Sequence, residues 1–304
     1  MSTDIDHIVT GPVFDIAHDV LRDMPDYRRF RAQELDQSGW NRTIDHNRDR
    51  LIAAGFPAAD IPFLKRIPAD PNALVAEILA DLNARAVLAQ LPRYAPDTAL
   101  LAHPDYIHGD KTTFIYPEEG ELLACLVAEL RPKRTVFLGS YYGFWARSAL
   151  PILATHGGTA VLVDPDPEVA KLAQRNIPDA ARGLVEIACM TGETYLDQAK
   201  DPFDLVVLDA ELPRSEPDPT RRGKGLYYHL LARALPKLAP DAVLITHNIL
   251  LNDWTGDPAF EATISRNKTE LGPFMKLAEE HFGFIEYGTT EGVGIGRRRP
   301  DAGK

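Results

Sequence analysis

The sequence has little cysteine and an excess of negative over positive charge. It contains two cysteines among 304 residues, and Cys125 and Cys189 form neither a metal-binding nor a redox spacing. Both stand among apolar residues, which favours buried free thiols in a reducing cytoplasm. The net charge of −11 argues against a nucleic-acid partner, because binding phosphates requires a concentrated basic surface.

The sequence also lacks long apolar runs and a leader pattern. No run approaches the roughly 20 apolar residues of a membrane-spanning helix. The N-terminal sequence MSTDIDHIVTG carries acids and has neither the basic start nor the apolar core of a signal peptide. These absences predict a cytoplasmic globular protein without a membrane partner, long enough for one large α/β domain and a smaller region.

Residues 1–104 predict a helical N-terminal region. Apolar residues recur at helical spacing within residues 16–24 and more strongly within residues 74–82, where Pro71 and Asn72 mark a helix start. No alternation typical of β-strands occurs in this region. We expect it to act in homodimerisation or as a lid over a substrate, and the sequence favours neither role over the other.

Residues 105–304 predict a doubly wound α/β domain. Five short apolar runs alternate with helical patterns, which is typical of a parallel sheet covered by helices on both faces. Two further runs, separated by a polar turn, predict a closing antiparallel pair. The predicted strands are residues 135–138, 159–163, 184–188, 203–208, 242–246, 282–287 and 293–297. The expected fold is a mostly parallel, Rossmann-like, seven-stranded sheet with an antiparallel last strand.

Polar residues follow the predicted strands at the edge where ligands bind in open α/β sheets. The turn GSYYG after the first strand lacks the glycines that a dinucleotide fingerprint needs at Tyr141 and Phe144. A cofactor without phosphates tolerates a bulkier turn, which favours S-adenosyl-L-methionine. Asp164 then accepts hydrogen bonds from ribose hydroxyls, although a cap for the helix near Pro167 is its alternative role.

From about residue 113 onward, seven motifs occur in an order that resembles one enzyme family. The motifs are PEEGELLACLV, VFLGSYYGFWA, VLVDPDPEVAKLAQRN, MTGETYL, FDLVVLDAE, YYHLLARALPKLAPDAVLITHN and EGVGIGRR. They resemble the class I S-adenosylmethionine-dependent O-methyltransferases of the caffeoyl-CoA and catechol type. The resemblance implies a methyltransferase fold and a transferase that acts on a small molecule.

The resemblance assigns a role to each cofactor-binding position. The turn around the methionine part comprises Gly139, Ser140, Tyr141 and Gly143. Asp164 is the ribose acceptor, Gly192 and Glu193 contact adenine, and Asp209 follows the fourth strand. Aromatic side chains near the cationic sulfur add cation–π stabilisation, with Tyr116, Tyr141 and Tyr142 as candidates. Tyr227 and Tyr228 stand where the family places a helix beside the acceptor, and either tyrosine alternatively packs against the sheet.

The family's divalent-metal site maps to Asp209, His247 and Asn248, with two departures. His247 replaces an aspartate, and no lysine follows the fourth strand closely, since Glu211 leads to Leu212. An imidazole removes negative charge and favours softer metals than Mg²⁺. Either a different metal binds, or the metal is absent and His247 acts as a general base. We favour metal-free chemistry with His247, Asp209, Asn248 and Tyr228 as catalytic candidates, and leave open that His247 is only a hydrogen-bonded residue at the strand end.

Two alternative functions remain open on the sequence. Attack at the aminopropyl arm of the same cofactor gives 3-amino-3-carboxypropyl transfer or cyclisation, with release of methylthioadenosine. A non-catalytic binding protein on the same fold predicts that Asp164→Ala leaves function intact.

Overall fold

The structure, a computed structural model, describes residues 13–91, 106–107 and 115–300. The first of these ranges is helical, as predicted, and the rest of the predicted helical region (1–12 and 92–104) lies outside the described residues. Aspartates cap two helices, since Asp36 accepts from the Gly39 N–H and Asp70 from the Ala73 N–H. The elements are α1 Val13–Leu21, α2 Pro25–Arg31, α3 Gln37–His46, α4 Arg48–Ala53, a 3₁₀ helix Ile61–Lys65 and α5 Pro71–Ala84.

Strands and helices alternate after residue 116. The strands are β1 Arg134–Leu138, β2 Thr159–Val163, β3 Val185–Ala188, β4 Phe203–Leu208, β5 Leu238–Thr246, β6 Ile285–Tyr287 and β7 Val293–Arg297. The helices are α6 Pro117–Leu130, α7 Phe144–Thr155, α8 Pro167–Asn176, α9 Gly192–Gln198, α10 Leu226–Ala234 and α11 Glu261–His281. Among the described residues, none of the helices has the length and apolar character needed to cross a membrane.

The seven strands form one sheet in the order β3-β2-β1-β4-β5-β7-β6. The first five strands of that order pair in parallel, and β7 is antiparallel to both of its neighbours. The strand order reverses between β1 and β4, and ligands bind at such a switch point in open α/β sheets. The predicted doubly wound sheet with an antiparallel last strand is confirmed.

Helices cover both faces of the sheet because successive strand residues point to opposite sides. Phe137 packs with α6 and α7 on one face, whereas Val136 and Leu138 pack with α9 and α10 on the other. The buried face of α5 joins the α6–α7 layer, while α1 to α4 bury a separate cluster around Trp40. Helix α5, from the predicted N-terminal region, shares a hydrophobic core with the sheet. The division of the chain into two domains at residue 104 stays a prediction.

Two features differ from the sequence analysis. Helix α11 was not predicted, because only one side of it is buried and Gly272 and Pro273 interrupt its helical pattern. Cys125 is buried as predicted, but the prediction for Cys189 was wrong, because Cys189 is exposed. It comes directly after β3, where the chain leaves the sheet for the surface.

Gly139→Ala is expected to lower the free energy of unfolding by roughly 2–3 kcal/mol. Gly139 has a φ of +80°, and a Cβ there would lie 2.4 Å from the Ala210 Cα. Gly157→Ala is the control, since Gly157 has a φ of +71° but no atom within 4 Å of such a Cβ. Urea unfolding should show the larger loss for Gly139→Ala. Equal losses would mean that contact with Ala210 costs nothing.

Candidate functional site

A cavity of about 470 Å³ opens where β1, β2 and β4 end. It is lined by most of the residues that the resemblance assigns to the cofactor and the reaction. These are Gly139, Ser140, Tyr141, Asp164, Gly192, Glu193, Asp209, His247 and Asn248. Asp60, from the N-terminal helical region, lines it as well. The sequence analysis did not single out Asp60, since it lies far outside the seven motifs.

The turn after β1 is held close to the neighbouring strand. The backbone N–H groups of Gly139 and Ser140 both donate to the Val163 carbonyl, at 3.0 and 3.1 Å. Tyr141 has a φ of +48°, which is rare for a residue with a side chain. Gly143 is not among the residues that line the cavity. It is the residue before α7 and has a φ of +82°. This left-handed backbone conformation, which glycine adopts readily, sets the direction in which α7 starts.

Asp164 lines the cavity and does not cap the following helix. Asp166 is the cap of α8, because its side chain accepts from the N–H groups of Glu168 and Val169. Asp164 accepts from the backbone N–H of Asp166 at 3.0 Å. The alternative role of Asp164 as a helix cap is therefore wrong.

Glu193 forms an ion pair at the same edge of the cavity. Its carboxylate lies 2.6 Å from the guanidinium of Arg221, which also lines the cavity. Arg221 belongs to the segment 211–225, which the sequence predicts to be a mobile loop. In the structure, a backbone bridge between Leu212 and Gly223 closes this segment on itself, and an ion pair between Arg214 and Glu270 connects it to α11.

Aromatic side chains form one wall of the cavity, but Tyr116 is not among them. Tyr141 and Tyr142 lie with ring centroids 4.0 Å apart, and both line the cavity. Tyr116 precedes α6 and is fully buried in the hydrophobic cluster of α1 to α4. Its assignment to the cofactor is corrected, since the helix start turns its side chain into that cluster. Tyr106 and Phe144 complete the wall, with centroids 4.7 Å apart.

Tyr227, and not Tyr228, is the α10 tyrosine that contacts residues of the site. Tyr228 is 40% exposed and does not line the cavity, so the structure contradicts its assignment as a catalytic candidate. Tyr227 is one helical position earlier and fully buried. Its hydroxyl donates to the His247 carbonyl at 2.8 Å and accepts from the Lys224 ammonium at 3.2 Å.

A lysine does reach Asp209, although none follows it closely in sequence. The Lys224 Nζ lies 3.4 Å from Asp209 Oδ1, and the side chain is buried. Burial alone would lower the pKa of Lys224, but Tyr227 and Asp209 outweigh it and raise that pKa. Lys224 therefore stays protonated. The sequence analysis missed it because the segment 211–225 folds back on itself before α10.

Asp209, His247 and Asn248 do not fit the metal site that the resemblance implies. The Asp209 Oδ1 accepts from the Asn248 amide at 3.2 Å and from Lys224, so donors already surround it. The His247 Nδ1 lies 3.4 Å from Asp209 Oδ2, which pairs these two side chains with each other. Burial alone would raise the pKa of Asp209, but His247 and Lys224 hold it below its ordinary value.

His247 is not the free general base that the sequence suggests. It is 1% exposed, and its Nε2 lies 2.9 Å from Glu119 Oε2. Burial alone would lower the pKa of His247, but Glu119 and Asp209 outweigh it and raise the pKa well above its ordinary value. Both ring nitrogens face carboxylate oxygens, an arrangement that favours the doubly protonated imidazole, which has no lone pair to accept a proton. The prediction that His247 is a free base is therefore corrected.

Glu119 and Glu291 both face His247, and Glu118 is buried next to Glu119; the sequence assigns a site role to none of the three. Glu118 and Glu119 begin α6, and Glu291 comes shortly before β7. Burial, reinforced by the charges of Glu119, Asp209 and Asp60, raises the pKa of Glu291 to about 8. Two adjacent acids in an otherwise apolar helix were the available signal.

Comparison with known proteins gives a family match and a fold match. Residues 136–249 match a family described as "Methyltransferase domain". A methyltransferase from Podospora anserina, solved with SAH bound, has 15% identity and a TM-score of 0.52, over 73% of this chain and 96% of that one. An O-methyltransferase from Bacillus cereus, also in complex with SAH, has 18% identity and a TM-score of 0.46, over 74% and 90%.

The family match, the strand order and the position of the cavity agree with the resemblance noted in the sequence. At such identities the solved structures bear on the fold alone, and the family match covers β1 to the end of β5. Residues 136–249 therefore match a methyltransferase domain, and the chain has a Rossmann-like fold.

Proposed function

We propose that this protein is an S-adenosyl-L-methionine-dependent methyltransferase that acts on a small molecule. The observation that carries the proposal is the set of side chains at the strand ends. Within a domain that matches methyltransferases, the predicted methionine, ribose and adenine positions other than Gly143 line one cavity. Its volume lies in the range of about 300–1,000 Å³ that is typical of small-molecule sites.

The residues fit the cofactor in shape as well as in chemistry. Gly139 and Gly192 line the cavity and have no side chain between their backbone and its space. The backbone can therefore approach a ligand closely at both positions. The Asp164 carboxylate accepts hydrogen bonds of the kind that ribose hydroxyls donate.

When bound, S-adenosyl-L-methionine supplies a methyl group already activated on a sulfonium. The protein then has to align the acceptor, exclude water and stabilise positive charge. Tyr141 and Tyr142 present aromatic faces suited to a cation, and Asp209 stays ionised beside them. In this proposal Lys224 and His247 fix the orientation of Asp209, and neither removes a proton from the acceptor.

Asp164→Ala is expected to weaken binding of S-adenosylhomocysteine about 10- to 100-fold, because charge-assisted hydrogen bonds to the ribose are lost. Isothermal titration calorimetry measures the change. Asp166→Ala is the matched control. It removes the α8 cap and costs about 1 kcal/mol of stability, but leaves the affinity unchanged. Equal affinities in wild type and Asp164→Ala would contradict the ribose assignment.

Products separate methyl transfer from the other functions. Formation of S-adenosylhomocysteine supports methylation, whereas methylthioadenosine would mean that the aminopropyl arm was attacked. If calorimetry detects binding of neither S-adenosyl-L-methionine nor S-adenosylhomocysteine, the proposed function is wrong. The absence of a nucleic-acid partner, homodimerisation and a cytoplasmic location stay predictions from the sequence.

A further inference from the structure

We propose that Glu119, His247 and Glu291 bind one divalent transition-metal cation beside the cavity. This ligand set differs from Asp209, His247 and Asn248, the set that the resemblance implies. The ligands come from three separate elements: the first turn of α6, the end of β5 and the turn before β7. No part of the proposal depends on the cofactor or on the proposed function.

The spacing of the three side chains is that of ligands around one ion. The His247 Nε2 lies 2.9 Å from Glu119 Oε2 and 3.5 Å from Glu291 Oε2. One ligand atom from each residue lies within 4.8 Å of the others. Two atoms each about 2.1 Å from an ion are roughly 3.0 Å apart at a right angle and about 3.4 Å apart at a tetrahedral angle. Both His247 distances match such pairs.

Surrounding groups orient the ligands as they do in metal sites. The Nδ1 of His247 faces Asp209 Oδ2 at 3.4 Å, and a carboxylate behind a ligating imidazole is the usual arrangement. The Oε1 of Glu119 accepts from the Thr289 hydroxyl at 2.7 Å and from the Glu291 N–H at 2.9 Å. These two bonds to Oε1 leave the other oxygen, Oε2, facing His247. Oε2 also accepts a longer hydrogen bond, of 3.3 Å, from the Tyr116 N–H.

The charges around the site favour a cation. Glu119 is buried, and Glu291, Asp209 and Asp60 line the cavity. Lys224 pairs with Asp209 Oδ1, whereas His247 faces Oδ2. Buried carboxylates are stable only when paired or when they coordinate a metal. A divalent cation would take the place of the proton between His247 and Glu119 and would also pair with Glu291.

The donor set indicates which ions bind. Two carboxylates and one imidazole suit Mn²⁺, Fe²⁺ or Zn²⁺ better than Mg²⁺, which prefers oxygen ligands alone. Three protein ligands leave at least one coordination position open. Since His247 and Glu291 line the cavity, that position faces a bound molecule, and an oxygen or nitrogen donor is the group that it accepts.

The test is a titration of chelator-treated, dialysed full-length protein with Zn²⁺ and, separately, Mn²⁺. Calorimetry and elemental analysis should find one ion per chain. Glu291→Gln should weaken binding of the tighter ion at least about tenfold. Two control variants should bind the ion as tightly as the wild type does. Asn248→Ala removes a residue of the metal site that the resemblance implies, and Glu211→Gln removes a cavity carboxylate that belongs to neither ligand set. Circular dichroism confirms that each variant is folded.

Any other pattern overturns the proposal. If neither Zn²⁺ nor Mn²⁺ binds at concentrations up to about 1 mM, the three residues are not a metal site, and a hydrogen bond alone joins His247 to Glu119. If Asn248→Ala or Glu211→Gln loses the ion, or if Glu291→Gln keeps it, the ion is held elsewhere. Because no cofactor is present, failure here leaves the proposed function untouched, and failure to bind S-adenosylhomocysteine leaves this result intact.

Discussion

Arg66→Met is expected to lower the free energy of unfolding by about 3–5 kcal/mol, the range found when one partner of a buried charge network is removed. Arg66 is fully buried. Its guanidinium donates to the Thr290 carbonyl at 2.8 Å, to the Thr289 carbonyl at 3.2 Å and to Asp253 Oδ1 at 2.9 Å. Methionine fills similar volume but leaves all three acceptors without this donor.

The substitution also reaches the candidate site. Thr289 and Thr290 bind the side chains of Glu119 and Glu118, and Glu291 is the next residue. Arg66 belongs to the N-terminal helical region, so it ties that region to the turn that carries Glu291. We therefore expect Arg66→Met to weaken metal binding as well as stability.

Urea unfolding followed by circular dichroism measures the stability change. Arg85→Met is the matched control, because Arg85 is an exposed partner of Asp81 and its loss should leave the midpoint unchanged. Arg66→Lys should recover only part of the loss, since an ammonium cannot reproduce the planar set of donors. A midpoint for Arg66→Met equal to that of wild type would show that the three acceptors are satisfied without Arg66.

The sequence predicts the sheet well because each buried parallel strand is a short run of apolar residues between turns. β2 and β4 have the predicted bounds for this reason. Helix α11 escaped prediction since it is buried on one side only and contains Gly272 and Pro273. In the strands, the apolar runs in the sequence coincide with the buried residues. In α11, the sequence shows no clear helical pattern, although the tertiary structure buries one side of the helix.

The sequence predicts the site residues that directly follow a strand. It does not predict the residues that reach the site from segments distant in the sequence. Asp164 and Asp209 follow β2 and β4 directly, so their places follow from topology. Lys224 and Glu291 reach the same cavity through turns whose paths no local pattern encodes. The sequence could not decide between His247 as a free base and His247 as a hydrogen-bonded residue, because the choice depends on Glu119, 128 residues earlier.

Glu119→Gln is expected to lower the free energy of unfolding by about 3–5 kcal/mol at about pH 7, measured with a chelator present. Glutamine keeps an acceptor for Thr289, but it leaves the buried His247 cation with less compensation. The pKa of Glu119 is lowered because the effect of His247 outweighs that of burial. The stabilisation that Glu119 contributes is therefore present above its ordinary pKa of 4.5 and is lost as the pH falls through its lowered pKa. The pKa of His247 is raised, so its contribution is lost only as the pH rises through that raised value. Both groups are charged near neutral pH.

Glu118→Gln is the matched control, because Glu118 is the adjacent residue and is equally buried. Its Oε1 accepts from the Thr290 N–H at 3.0 Å and the Thr290 hydroxyl at 2.5 Å. Burial and the charge of Glu119 raise the pKa of Glu118 to about 7, so half of its carboxyl groups are already neutral at that pH. A glutamine resembles the neutral acid and keeps both acceptor contacts, so Glu118→Gln should cost less than about 1 kcal/mol. Similar costs for the two variants would mean that Glu119 and His247 are not an ion pair, and that burial alone governs both glutamates.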